Sequence, residues 1–273
     1  MMEIFFKPDY FKKRLCLEDI SSSLITNFIG SRLIYKFCID STNDVAKRYL
    51  NDGLAKNGDV FLSDKQTSGR GRMKSRVWES GEMENICLSL LISNSSFCSP
   101  ILTLIVGVVV MNVLRKVTCL DVKMKWPNDI YINDKKISGI LCENLSFGNY
   151  DNLIIGIGIN INSYNFSDRL KNSATSLYLE KGRYFSREKI ISEILNKLEL
   201  YLCENGPGIE DLIKKYKSSC ISINRKVIFY DEGEVPKYGK IIDISNTGEL
   251  MIMTHNNDII NLNSSYKLKY LES

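Results

Sequence analysis

The chain has 273 residues, 44% of them hydrophobic and 25% charged, an ordinary globular composition with room for about two domains. A single histidine, His255, excludes a His-rich metal site, and eight scattered cysteines with no C-x-x-C pair read as buried reduced thiols. The net charge of +4 is too small to argue for nucleic acid or membrane, the apolar stretch Ile101 to Leu114 is shorter than the about 20 residues of a membrane span, and the Met-Met-Glu start lacks a secretory h-region, so a cytoplasmic protein is expected.

Residues 1–33 mix apolar and charged side chains and read as a short helical lead-in. Asp40-Ser41-Thr42-Asn43 is a cluster of capping residues. Val45, Ala46, Tyr49 and Leu50 follow at helical spacing, which predicts a helix from Ser41 or Thr42 to about Asp52-Gly53. Asp59 to Ser63 reads as a strand. Residues 66–80 carry four basic and few apolar side chains and read as a loop. Asn85 to Ser93 is an apolar strand, and Pro100 to Val117 a core helix.

Lys123 to Leu145 reads as a strand pair, with Asn133-Asp134 as the turn. Leu153 to Asn162 is almost continuously apolar, the mark of a strand covered on both faces. Arg187 to Glu204 shows helical spacing behind Ser186 as a cap, and Gly206-Pro207-Gly208 separates it from a second, shorter helix. From Ser222 the pattern changes to five short strand-like runs separated by turns, a small β-barrel. The expected fold class is therefore a mixed α/β domain over 1–221, followed by an all-β domain over 222–273.

Four stretches carry residues suited to chemistry. Gly69-Arg70-Gly71-Arg72, with Lys74 and Arg76, gathers four cations in seven residues, together with backbone able to approach a ligand closely. It reads either as an anion-binding loop or as a solvated basic loop. Lys125-Trp126-Pro127-Asn128-Asp129 places Asn128 and Asp129 at a strand start, and a tight hairpin returns Lys136 and Gly139 alongside them. That is either a site for a charged or metal-bound substrate or a surface ion pair. Asn160, at the end of the Gly156-Ile-Gly158-Ile-Asn160 strand, suits a purine edge or a triphosphate, or else caps a turn. Ser41-Thr42-Asn43 caps a helix and also offers hydroxyls and an amide to a polar head group.

Together these motifs resemble the biotin protein ligases, or biotin–[acetyl-CoA carboxylase] ligases. The match rests on Asp-Ser-Thr-Asn (40–43), Gln-Thr-Ser-Gly-Arg-Gly-Arg (66–72), Lys-Trp-Pro-Asn-Asp-Ile-Tyr (125–131), Lys-Ile-Ser-Gly-Ile-Leu-x-Glu (136–143), Gly-Ile-Gly-Ile-Asn-Ile-Asn (156–162) and Ala-Thr-Ser-Leu (174–177). They stand in the family's order and cover residues 40 to 177. The resemblance implies the biotin/lipoate ligase fold, related to class II aminoacyl-tRNA synthetases, with an SH3-like barrel behind it.

It also implies a two-step reaction. Biotin and ATP form biotinyl-5′-AMP with release of pyrophosphate, and the acyl group then passes to a lysine of a biotin carboxyl carrier protein. By resemblance, Ser41, Thr42, Asn43, Gln66, Gly69, Arg70, Gly71, Lys136 and Gly139 bind biotin. Arg70, Arg72, Arg76, Trp78, Asn128 and Asn160 bind ATP or the adenylate. Lys136, Arg72 and Asp129 are the catalytic set, and Asp129 orients Mg²⁺, the expected metal cofactor. The family usually reads Gly-Arg-Gly-Arg-x-Gly-Arg-x-Trp. Here the loop is one residue longer and lacks the third glycine, so Arg76 maps less securely than Arg72.

Some members carry an N-terminal helix-turn-helix and repress genes. The forty residues before Ser41 are too few for one with its linker, so neither DNA nor a membrane is expected as a partner. A homodimer through an exposed sheet edge is an assembly that the family uses. A lipoate-type ligase of the same fold and a non-catalytic biotin sensor are the alternative readings.

Overall fold

The computed structural model describes residues 12–73, 77–93, 99–147, 150–202, 208–230, 235–264 and 266–271. In chain order the first part consists of α1 (Leu17–Ser21), β1 (Leu33–Ile39), α2 (Thr42–Asn51), β2 (Val60–Gln66), β3 (Ile86–Ile92) and α3 (Ser99–Thr118). It continues with β4 (Lys123–Lys125), β5 (Asp129–Ile132), β6 (Lys135–Phe147), β7 (Tyr150–Ile159), α4 (Leu177–Lys181), α5 (Arg187–Leu202) and α6 (Ile209–Ser219). The last part is β8 (Lys226–Tyr230), β9 (Pro236–Ile244), β10 (Leu250–Thr254), β11 (Ile259–Leu262) and β12 (Leu268–Tyr270).

Seven strands form one mixed sheet in the order β1-β2-β3-β7-β6-β5-β4. Only β1 and β2 are parallel, joined by the crossover helix α2. Period two sorts β7 into two sets. Leu153, Ile155, Ile157 and Ile159 join the large core together with α3. Ile154 points the other way and packs with Phe61, Leu91 and the α2 residues Val45 and Ala46. The near-continuous apolar run of β7 thus serves two layers, as its composition predicts. α3 is longer than the apolar stretch that announces it. By length and composition Pro100–Thr118 would suit a membrane, but 67% of it is buried in protein, as a core helix is.

α2 starts where the capping cluster predicts, with Ser41 at the N-cap in extended conformation. Ser41 makes no side-chain cap; the N–H of Thr42 is instead taken by Gln66 Oε1 of β2 at 2.8 Å. Ser186, in contrast, caps α5 by accepting from the Lys189 N–H at 3.2 Å.

Among the described residues of the lead-in, 12–32, the helix is the five-residue α1, and the chain then turns into β1, an edge strand whose mixed burial hides its alternation. One reading is corrected. The expected strand pair over 123–145 is a three-strand meander, because β4 ends at Lys125 and a cis Trp126–Pro127 turn precedes β5. The Asn133-Asp134 turn is as read: both residues have positive φ, 48° and 61°, as a two-residue hairpin of primed type requires.

The five C-terminal strands form a second antiparallel sheet, β11-β10-β9-β8-β12, matching the expected SH3-like unit. Its inward residues Val227, Phe229, Ile241, Ile252 and Leu262 belong to the same buried cluster as α3. Trp126 bridges the two sheets, its indole N–H donating to Gly248 O at 3.0 Å.

Candidate active site

The face of the large sheet that carries α2 is covered over only part of its width. Beyond α2, cross-strand pairing lines up Cys87, Gly158, Gly139 and Asp129 from β3, β7, β6 and β5. Two adjacent glycines in that row leave a shallow trough in the sheet surface. A β-bulge supplies the trough's cation. Asp129 pairs with Gly139 and Ile130 with Ser138, but Tyr131 pairs with Lys136, so Ile137 is the extra residue. Strict alternation from Gly139 would put Lys136 on the opposite face. The bulge returns it to the face of Asp129 and Gly139 and sends Ile137, fully buried, into the core.

The backbone of Lys136 is held on its other side by the 173–175 segment. Its N–H donates to Ser173 O at 2.8 Å, and its carbonyl accepts from Thr175 at 2.9 Å. The ammonium lies 2.5 Å from Asp129 Oδ1, with the two side chains 30% and 14% exposed. This is an ion-pair contact without hydrogen-bond alignment, and it leaves Asp129 Oδ1 buried with no aligned donor.

Trp78 covers the trough. Its ring lies over Gly158 and beside Gly139, and the Lys136 ammonium stands 5.8 Å from the ring centroid. The basic loop brings it there by folding back on itself: Trp78 N–H donates to Gly69 O at 2.9 Å, and Arg70 bridges to Val77. Arg72 sits at the exposed tip; Arg76 lies outside the described residues. The indole nitrogen of Trp78 and Asn160 Oδ1 are buried without a hydrogen-bond partner, and Asp129 Oδ1 has only the Lys136 ammonium. Buried polar atoms normally find partners, so Trp78 Nε1 and Asn160 Oδ1, on the trough and its rim, are groups set out for a ligand.

Gly158 gives the first testable consequence. A Cβ there would stand 2.5 to 2.9 Å from three atoms of the indole. Gly158→Ala is expected to displace Trp78 from the trough. Because a loop side chain yields rather than the sheet, the stability cost should stay under about 1 kcal/mol, below the usual overpacking penalty. The only other tryptophan, Trp126, is 4% exposed. Tryptophan emission should therefore shift to the red and become more quenchable, and an unchanged spectrum would contradict the packing.

The end of the trough near α2 is a polar wall. Thr42 Oγ1 lies 3.2 Å from Gln66 Oε1. Ser89 Oγ, from β3, lies 2.7 Å from Thr42 Oγ1 and 2.5 Å from Asn43 Oδ1. Asn43 Nδ2 donates to Glu143 Oε2 at 2.8 Å. Glu143 also accepts from Lys47 at 2.8 Å and from Arg70 at 2.7 Å, and Arg70 reaches Asp44 at 2.9 Å.

The family model for the biotin/lipoate A/B protein ligase family matches residues 35–160. The bifunctional ligase/repressor BirA of Bacillus spizizenii is 36% identical over 250 residues, 88% of this chain and 75% of that protein. The chain belongs to the biotin protein ligase family. A biotin protein ligase from Aquifex aeolicus, solved in complex with biotin and ATP, superposes with a TM-score of 0.75 at 30% identity, covering 88% of this chain and 100% of that one. The biotin–[acetyl-CoA-carboxylase] ligase of Mycobacterium tuberculosis is 25% identical over 78% of this chain and 79% of its own length.

Among the residues singled out from the sequence of this family member, Lys136, Asp129, Gly139 and Trp78 meet at the trough, and Thr42 and Gln66 meet at its polar end. Ser41 is buried beside them. Three amides are engaged within the protein instead. Asn43 is held by Glu143 and Ser89, Asn128 Nδ2 donates to Ile140 O at 2.8 Å, and Asn160 Nδ2 donates to Thr175 O at 3.1 Å, leaving Asn160 Oδ1 free. Arg70 faces the Glu143 and Asp44 carboxylates, while Gly69 holds the loop's base through the Trp78 backbone N–H; no contact places Gly71. Ser89, Glu143 and Gly158 are part of the site; Gly158 and Glu143 were named only within motifs, and Ser89 was not singled out. Ser89 had a signal, as the one hydroxyl inside the apolar run 86–92.

Proposed function

We infer that this chain is an ATP-dependent biotin protein ligase. The observation that carries the reading is a lysine ammonium, aimed by a β-bulge into a glycine-floored trough whose far end is a hydroxyl and amide wall. A small acid with a polar head group fits that layout, its head on Thr42 and Gln66 and its carboxylate toward Lys136.

In the first step a biotin carboxylate oxygen attacks the α-phosphorus, the bond to the β-phosphate bridging oxygen breaks, and pyrophosphate leaves. Both reactants are anions, so a cation between them lowers the repulsion and stabilises the charge that develops. Lys136 is that cation, and Asp129 holds it in place. Arg72 adds positive charge over the phosphates from the loop, and Trp78 gives the adenylate an apolar face. Asn160 offers its unpartnered oxygen at the nucleotide end.

Mg²⁺ takes one or two protein carboxylates and otherwise keeps water and phosphate oxygens, and Asp129, whose Oδ1 lies 2.5 Å from the Lys136 ammonium, is the carboxylate of the trough that would hold it. A bound Mg²⁺ would share the phosphate charge. In the second step the amine of a carrier lysine attacks the acyl carbon and AMP leaves. A biotin carboxyl carrier protein is the proposed acceptor, and the open β1 edge the proposed seat of a homodimer.

The test is acid-dependent ATP–pyrophosphate exchange, with biotin and lipoate in parallel. Exchange with biotin alone is expected. Exchange with lipoate alone would move the assignment to a lipoate-type ligase, and biotin binding without exchange would make the protein a sensor.

A further inference from the structure

The Ala174-Thr175-Ser176-Leu177 motif runs beside Lys136. β7 ends at Ile159, opposite Ser138, so the part of β6 that carries Lys136 extends beyond its neighbour. Residues 173–175 take the vacated place. Ala174 bridges to Lys136 in parallel, and Ser173 and Thr175 bond the two main-chain groups of the lysine.

All three polar groups of the buried Thr175 are in use. Its N–H donates to Lys136 O at 2.9 Å, and its carbonyl accepts from Asn160 Nδ2 at 3.1 Å, which anchors the segment to the end of β7. Its hydroxyl donates to Glu180 Oε1 at 2.6 Å, the length of a charge-assisted bond. The other oxygen of Glu180 accepts from Asn133 Nδ2 at 2.8 Å. A carboxylate only accepts, so Asn133 turns its NH₂ toward it. Asn133 stands in the hairpin turn just before Lys136, and Thr175 lies alongside the lysine. One carboxylate on α4 therefore grips both supports of Lys136. Ser176 fixes α4 in turn, accepting from the Leu179 N–H at 3.1 Å and donating to Ser163 O.

Resting on the biotin ligase reading, we propose that Glu180 is a positioning residue for the adenylation step. Through Thr175 and Asn133 it fixes the point and direction at which Lys136 leaves the sheet, and it touches no substrate itself.

The test compares biotin-dependent ATP–pyrophosphate exchange in the full chain as wild type, Glu180→Ala, Glu180→Gln, Lys136→Ala and Glu180→Ala/Lys136→Ala. At saturating biotin and ATP, Glu180→Ala is expected to lower the rate about tenfold, short of the about 10²-fold that a 1 Å misplacement can cost. Glutamine keeps both grips, its oxygen on Asn133 and its NH₂ on the Thr175 hydroxyl, which accepts as well as donates. Glu180→Gln should therefore stay near the wild-type rate. The Kd for biotin, read by calorimetry, should hardly move, because Thr42 and Gln66 seat the head group elsewhere. On the Lys136→Ala background, Glu180→Ala should cost nothing further. An unchanged rate in Glu180→Ala, or a loss that recurs in full without Lys136, would overturn the proposal. Should Glu180→Ala not fold, Asn133→Gly replaces it with the same expectation, since it removes the exposed half of the clamp and suits the positive φ there. Amide hydrogen exchange reads the clamp without substrate. The Lys136 and Thr175 amides should lose protection in Glu180→Ala, and unchanged protection would overturn the clamp. A wild type without biotin-dependent exchange would overturn the ligase reading instead, an outcome that the amide result keeps apart.

Discussion

Lys136→Ala should lower biotin-dependent ATP–pyrophosphate exchange by about 10²–10³-fold, the scale of removing one preorganised group that stabilises transition-state charge. The lysine stands where two anions must meet, and among the trough-lining residues Cys87, Gly158, Gly139 and Asp129 there is no second cation to take its place. The fold should survive. The backbone of residue 136 is held by Ser173 and Thr175 through main-chain bonds that alanine keeps. What is lost structurally is one ion-pair contact between partly exposed side chains, 30% and 14% exposed, so the unfolding midpoint should fall by only a few degrees. Lys136→Arg keeps the charge but carries it on a planar, wider head, and should recover a fraction of the activity. Exchange at the wild-type rate in a folded Lys136→Ala protein would remove the lysine from the mechanism. Loss of exchange together with loss of the unfolding transition would place Lys136 in the structure rather than the chemistry.

Why Lys136 stands there could be only half read from the chain. The Asn133-Asp134 turn and the alternation of Ile130 and Ile132 announce a hairpin, and a hairpin brings Lys136 back toward Asp129. The face on which it arrives depends on one bulged residue, Ile137, and a bulge is decided by the pairing of whole strands, not by local preference. The polar wall was legible in the same partial way. Thr42 and Gln66 are visible as polar residues at a helix start and a strand end, but the bond between them joins residues that meet only once β1 and β2 are parallel.

Glu143 shows the limit most clearly. It closes a run of β6 residues and has no local reason to be acidic, yet it holds Arg70, 73 residues away, and Asn43 from the opposite direction. The small sheet lies at the other extreme. Its five strands fall within a few residues of the runs read from the sequence, because each is short and separated by turn residues, and all but β12 pair with the next strand along the chain.

On the far face of the sheet, Arg187→Met is expected to destabilise the protein by about 3–5 kcal/mol, the cost of leaving a buried charge without its partner. Arg187 opens α5 with its side chain 4% exposed, and it meets Asp64 of β2, whose side chain is fully buried, at 2.6 Å. The guanidinium also donates to Asn85 O at 3.2 Å and to Lys13 O at 2.5 Å. Asp64 accepts further from Tyr35 Oη at 2.5 Å and from the Leu15 N–H at 3.3 Å. One ion pair thus ties the lead-in, β1, β2, the residue before β3 and α5 together.

Removing only the arginine leaves the carboxylate with two neutral donors in a dry site. For a chain of this size the unfolding midpoint should fall by roughly 10 °C. The pair lies under the sheet and not in the trough, so turnover measured well below the midpoint should be nearly unchanged. Tyr35 supplies an independent check. Burial first, and then its bond to Asp64, pushes the phenol up to about 12, so Asp64→Asn should bring its titration back toward the ordinary tyrosine range. The double variant Asp64→Asn/Arg187→Met should be more stable than Arg187→Met alone, since no uncompensated charge remains. A cost below about 1 kcal/mol for the single variant would mean that Tyr35 and the Leu15 N–H already satisfy Asp64, and that Arg187 contributes packing alone.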